Sequence, residues 1–232
     1  MKTTTLQRLG CAAAVLLAAC SGDNTGPGAP APDRNNPGTG SSTLLVTANV
    51  DASDGAAGFV TDFTVSVRDA AGNPVSGATV TISNVDFGMV SLVETVANSG
   101  DYAATRASFF GGDFALSVVR GQDEVRNVLL GGPGVHSITA PVVNSIVPGQ
   151  QALTVTWSVP SQALSAEIET RDFGPTIIQD SGTYDIPAGS NVTRSDQRIR
   201  LFRFNEVNLA GGLTGSRFRI KIRQSVEPVV VQ

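Results

Sequence analysis

Cysteine and histidine are nearly missing from this chain. Its 232 residues include two cysteines, Cys11 and Cys20, and one histidine, His136. No zinc site built on several cysteines or histidines is possible with that supply. A Ser-His-Asp triad would have to use His136, which lies in the connector-like stretch Gly134-Val135-His136-Ser137 and is expected to be an exposed or half-buried linker residue. No apolar run reaches the roughly 20 residues of a membrane-spanning helix. Neither G-x-x-x-x-G-K-[ST] nor G-x-G-x-x-G occurs, so the 25 glycines read as turns. Basic residues do not dominate either: 16 Lys and Arg stand against 20 Asp and Glu. Such a balance excludes a nucleic-acid grip resting on basic surface. No cofactor is expected. Glycoside hydrolysis needs only two carboxylates in a groove, but small tight-turned domains leave little room for a cleft. The chain is expected not to be an enzyme.

What is present begins with the leader. Lys2 and Arg8 supply a positive start, and Leu9–Ala19 carries no charge. That is signal-peptide length. Leu16-Leu17-Ala18-Ala19-Cys20 then resembles the lipobox of bacterial lipoproteins. The resemblance implies a signal peptide over 1–19, cleavage before Cys20 and lipid on its sulfur, hence a membrane partner through Cys20. Ser21 stands where some lipoproteins carry Asp, which favours an outer-membrane location in the cell envelope. Cys11 leaves with the leader. The mature chain then holds no cysteine pair, and its stability must come from core burial. Without Lys2 and Arg8 the net charge is −6.

Residues 21–42 read SGDNTGPGAPAPDRNNPGTGSS. With hardly an apolar side chain, such a segment does not offset the entropy of ordering its backbone. The lipidated Cys20 and this stretch, 20–42, are expected to form a disordered linker. As a flexible coil it would span roughly 25–30 Å, and up to about 70 Å stretched.

From Thr43 the pattern becomes period two. Leu45–Val50, Phe63–Arg68, Ala78–Ser83 and Phe114–Val118 alternate apolar and polar residues. Turn signals at Ala71–Pro74, Asn98–Asp101 and Gly111-Gly112 separate them. The expected fold is all-β: two Ig-like β-sandwich domains in tandem, 43–131 and 134–232, divided at Gly131-Gly132-Pro133-Gly134.

Val67-Arg68-Asp69-Ala70-Ala71-Gly72-Asn73-Pro74-Val75-Ser76-Gly77-Ala78-Thr79-Val80-Thr81-Ile82 resembles bacterial Ig-like domains of the invasin and intimin type, and also the carboxypeptidase regulatory-like domain. Asp69 would bond turn amides, Gly72 and Asn73 tolerate positive φ, and Pro74 pre-sets φ. In the second domain Leu153–Pro160 resembles the second strand of a fibronectin type III domain, with Trp157 as its core tryptophan. Gly215–Arg223 resembles a later strand of that family, with Phe218 in the aromatic position, and a short final strand would fall within Pro228–Gln232.

Two groups of side chains stand out. Arg217, Arg219, Lys221 and Arg223 alternate with Phe218, Ile220 and Ile222, which on a strand puts four cations on one face. Arg198, Arg200 and Arg203 would extend that face. Glu167 and Glu169 alternate similarly and are expected opposite the cations, each pair contributing about 0.2–1 kcal/mol. A helix over Ser161–Asp172 is the competing reading of that stretch. The basic face is either self-neutralised or a binding surface for an anionic glycan or an acidic protein. The second group is Asp51, Asp54, Asp62 and Asp69, whose oxygens are a candidate Ca²⁺ set at strand ends; the alternative is solvated turn carboxylates. The expected function is that of an envelope lipoprotein displaying Ig-like domains for adhesion or protein interaction. Alternatives are an assembly partner of another envelope protein and a carbohydrate-binding accessory protein.

Overall fold

The computed structural model describes residues 35–55, 58–108 and 112–232. The leader, Cys20 and most of the expected linker lie outside the described residues. The described chain is all-β, with no helix. The strands are β1 (Asn36–Gly40), β2 (Leu45–Gly55), β3 (Gly58–Arg68), β4 (Thr79–Asn84), β5 (Gly88–Glu94), β6 (Asp101–Arg106), β7 (Asp113–Arg120) and β8 (Asp123–Gly131). They continue with β9 (Ile138–Ala140), β10 (Ile146–Val147), β11 (Leu153–Trp157), β12 (Ser165–Thr170), β13 (Thr176–Ile178), β14 (Thr183–Ile186), β15 (Arg194–Asn208) and β16 (Arg217–Val231).

In the first sandwich the sheet β1-β8-β7-β4-β5 faces the sheet β6-β3-β2-β16. Period-two alternation decides which side chains meet between them. Val46, Ala48 and Val50 of β2, Phe63, Val65 and Val67 of β3, and Phe114, Leu116 and Val118 of β7 are all buried there. β5 turns the corner, pairing with β4 over Gly88–Leu92 and with β6 at Val93 and Glu94. The second sandwich sets the small sheet β14-β11-β9 against β13, β12, β15 and the upper half of β16. Leu153, Val155 and Trp157 pack there on Ile168, Ile199, Leu201 and Val229. Ser165–Thr170 is therefore a strand, not part of a helix.

Two expectations are corrected. Asn36–Gly40, placed in the linker by composition, forms β1 and pairs antiparallel with β8. Gly40 lets β1 pass against the backbone of Gly211, where a Cβ would stand 2.5 Å from the Gly211 carbonyl oxygen. The short last strand is instead the 15-residue β16. Its first half, Arg217–Arg223, runs parallel to Thr47–Ser53 of β2. Phe218 and Ile220, assigned to the second domain by sequence position, thus sit in the core of the first. The hairpin β15–β16 is continuous through both sandwiches. Its tip is held from both sides: the Ala210 amide donates to Pro37, Ser42 to Gly211, and Leu213 to Leu44.

The turn after β3 follows its residues. The Asp69 carboxylate accepts hydrogen bonds from the amides of Ala71 and Asn73 and from the Asn73 side chain. Gly72 takes φ of +83°, while Asn73 is not among the residues with positive φ. The Tyr102 hydroxyl closes the segment, donating to the Val75 carbonyl and accepting from the Ala78 amide.

Candidate functional site

The cations of β16 do line one face, but their partners differ from those expected. Glu167 and Glu169 lie on β12, which pairs with β15 and not with β16. Glu169 therefore faces Arg200, with the Arg200 guanidinium 2.9 Å from its carboxylate. Arg219 is held by Glu206 at 2.7 Å and lies over the Phe204 ring. The Lys221 ammonium sits 4.2 Å above the Phe202 ring, and Arg223 is 3.9 Å from Asp54. Arg217 is exposed. Arg198 is half-buried beside Arg200 and Arg171; burial, then those two charges, hold its pKa below the usual guanidinium value. The surface is a cation stripe stitched to acidic and aromatic neighbours.

Arg203 does not extend it. It shares the parity of Ile199 and Leu201, so it points inward and is fully buried. Its Nε donates to Asp180 Oδ1 at 2.8 Å and its Nη1 to the Gly134 carbonyl at 3.0 Å, while Nη2 reaches Asp180 and the Ser161 carbonyl. Trp157 Nε1 and the Ala163 amide also donate to Asp180, each at 3.0 Å. Burial pushes the Asp180 pKa up, but the bonds from Arg203, Trp157 and Ala163 outweigh it and the value lies below the ordinary one. Asn205, on the same strand, donates to the Gly131 carbonyl at 2.7 Å. Together Arg203 and Asn205 clamp the connector between the sandwiches. Asp180 and Asn205 were not singled out from sequence; an arginine at inward parity was the signal that a buried acid must lie near.

His136 belongs to the same region and is buried rather than exposed. Its Nε2 lies 3.3 Å from the Leu201 carbonyl, and its Nδ1 has no partner. Burial, then the Arg203 charge, lowers its pKa to about 4, against the smaller upward pull of the Leu201 bond and Asp180. The unfolded chain takes up that proton near 6.5. The neutral ring thus contributes stability that is complete above pH 6.5 and is lost as pH falls through about 4. Up to about 3 kcal/mol is at stake. Urea midpoints from pH 7 to pH 4 are expected to fall steeply for the wild type and less for His136→Gln. Equal slopes would show that His136 does not carry the effect.

The acidic group does not converge. Asp51 faces Asp62 across β2 and β3, and Asp62 accepts the Thr105 hydroxyl at 2.8 Å. Asp54 accepts the Ser225 amide at 2.9 Å. Asp69 serves its turn. Among the described residues no three His, Cys, Asp or Glu side chains are placed to hold a metal ion. A shallow concavity of about 290 Å³ lies on β4, β7 and β8, lined by Thr81, Ser83, Ser117, Arg126 and Asn127 among others, with no carboxylate in its lining.

No family model matches the chain, and no curated protein sequence matches it significantly. Solved structures do resemble it. The Yersinia pseudotuberculosis adhesin InvE is 16% identical with a TM-score of 0.28, covering 80% of this chain and 60% of that one. This chain thus spans less than two thirds of that adhesin structure. The fibronectin(III)-like modules of Clostridium thermocellum CbhA are 15% identical, TM-score 0.26, covering 77% and 92%. The IG1+IG2 domains of DIP-gamma are 8% identical, TM-score 0.26, covering 82% and 98%.

Proposed function

We propose that this chain is a non-catalytic cell-envelope lipoprotein, anchored at Cys20, that presents a fused pair of Ig-like sandwiches to a protein or anionic-glycan partner in adhesion or envelope interaction. The shared β15–β16 hairpin supports this reading most. It fixes two sandwiches as one body, so a binding face keeps its shape at a distance from the anchor. The polar clusters on which chemistry would rest are engaged in structure: Arg203 and Asp180 clamp the connector, and Asp69 and Glu94 hold turns. The reading as an assembly partner draws on a different observation. Arg200, Arg219 and Arg223 already have acidic neighbours, so the stripe is not a strong free cation field.

Cys20→Ser is expected to abolish fatty-acid labelling and move the chain from the membrane to the soluble fraction. Several acyl chains on one residue make release negligible, whereas none leaves nothing to hold it. Continued membrane association of that variant would overturn the anchor. The soluble variant then serves as bait: reversing Arg219 and Lys221 to Glu is expected to weaken capture of an anionic partner at least tenfold, and unchanged capture would leave the stripe as scaffold.

A further inference from the structure

β15 holds the connector between the sandwiches at three alternate residues. The Asn205 side chain donates to the Gly131 carbonyl at 2.7 Å, Arg203 donates to the Gly134 carbonyl at 3.0 Å, and the Leu201 carbonyl lies 3.3 Å from His136 Nε2. Ser161 Oγ accepts from the Gly134 amide, and Ser158 Oγ from the Ser137 amide. The stretch so held, 132–137, lies between the end of β8 at Gly131 and the start of β9 at Ile138, outside both strand ladders. Of these groups only His136 changes charge in mild acid. Its ring is fully buried. A carbonyl only accepts, so Nε2 carries the ring hydrogen and Nδ1 is left as a lone pair. No donor meets that lone pair.

A proton arriving at Nδ1 makes a buried donor without an acceptor and a buried charge without water. The charged groups that face the ring are Arg203 of β15, which repels the new charge, and Asp180 between β13 and β14, which attracts it. Asp180 already accepts from Arg203, Trp157 and Ala163. The other contacts of the connector, from Ser158, Ser161, Leu201 and Asn205, bring no titratable side chain. We propose that His136 is an acid-released latch between the sandwiches. On protonation its ring leaves the Leu201 carbonyl and takes the neighbouring Gly134–Arg203 bond with it. The connector comes away from β15, and the sandwiches stay joined through β16, free to bend about it. The ladders that β16 makes with β15 and β2 are no part of the latch, so release changes the angle between the bodies and leaves each intact. A rigid pair near neutral pH becomes a jointed pair in acid.

The test is the distance between spin labels at Ser91→Cys, exposed on β5, and Gln151→Cys, exposed just before β11, in the full chain with Cys11 and Cys20 changed to serine. Double electron–electron resonance at pH 7 is expected to give a narrow distribution, and at about pH 4 one roughly twice as wide, as hinge freedom between two bodies gives. The distribution is expected to narrow again on neutralisation. His136 is the sole histidine, so its ring resonance is read without ambiguity, and its titration midpoint is expected to coincide with that of the broadening. His136→Gln keeps a donor for the Leu201 carbonyl and takes up no proton; its distribution is expected to stay narrow at pH 4. Equal widths at the two pH values in the wild type overturn the proposal, as does equal broadening in His136→Gln. Broadening out of step with the ring's own titration overturns it without recourse to the variant. So does broadening that comes with loss of the strand signal in circular dichroism, which is unfolding rather than release.

Discussion

Arg203→Met is expected to be among the most damaging single substitutions in the second sandwich, at about 3–5 kcal/mol in urea or thermal unfolding. The loss does not measure the strength of the ion pair. Asp180, nearly inaccessible to solvent, would keep the bonds from Trp157 and Ala163 but lose its counter-charge. The Gly134 and Ser161 carbonyls would each lose a donor as well. A buried carboxylate without its cation must either take a proton or drag water inward. Adding Asp180→Leu to Arg203→Met removes the stranded charge and is expected to recover a large part of the loss. A single variant within 1 kcal/mol of wild type, an order set by exposed pairs, would mean that the clamp is not under stress. The two variants together separate charge burial from packing.

The second large effect concerns how the sandwiches depend on each other. A chain ended at Gly131 is expected not to fold, although it holds every strand from β1 to β8. The edge of β2 would lose its parallel partner, and the core would lose Phe218, Ile220 and Leu209. Phe218→Ala makes the same point in the full chain, at about 3–5 kcal/mol for a buried phenylalanine. Because β16 crosses both bodies, Phe218→Ala in one and Val229→Ala in the other are expected to lower a single cooperative transition. Near-native circular dichroism and dispersed amide resonances from the 35–131 fragment would refute this, as would two separately moving transitions in the full chain.

The strands of the first sandwich were legible because alternation is a local property. Leu45–Val50, Phe63–Arg68 and Phe114–Val118 carry their facing with them, and Asp69-x-x-Gly72 carries its turn. What could not be read was partnership. Alternation says that Phe218 points inward but not into which core, and the answer depends on β2, some 170 residues away. β1 was missed for a related reason. Asn-Pro-Gly-Thr-Gly has no apolar period, and its strand form comes from the edge that β8 offers and from the close pass of Gly40 at Gly211. The resemblance divides this stretch into a strand over Gly215–Arg223 and a separate short one within Pro228–Gln232, yet the ladder to β15 continues to Val231 through shifts of register. Of the candidate site residues, the facing of Arg217–Arg223 follows from parity. Their true neighbours Glu206, Phe202 and Phe204 were hidden by the assumption that β12 lay beside β16.

The parallel pairing of β2 with β16 has a mechanical meaning. A pull between the start of β2 and the end of β16 drags the two strands in opposite directions along their common ladder. The pairs from Thr47–Arg217 to Ser53–Arg223 are then loaded in shear, all at once, rather than opened one after another like a zipper. A body tethered near its first strand and gripped near its last would meet tension with its most resistant geometry.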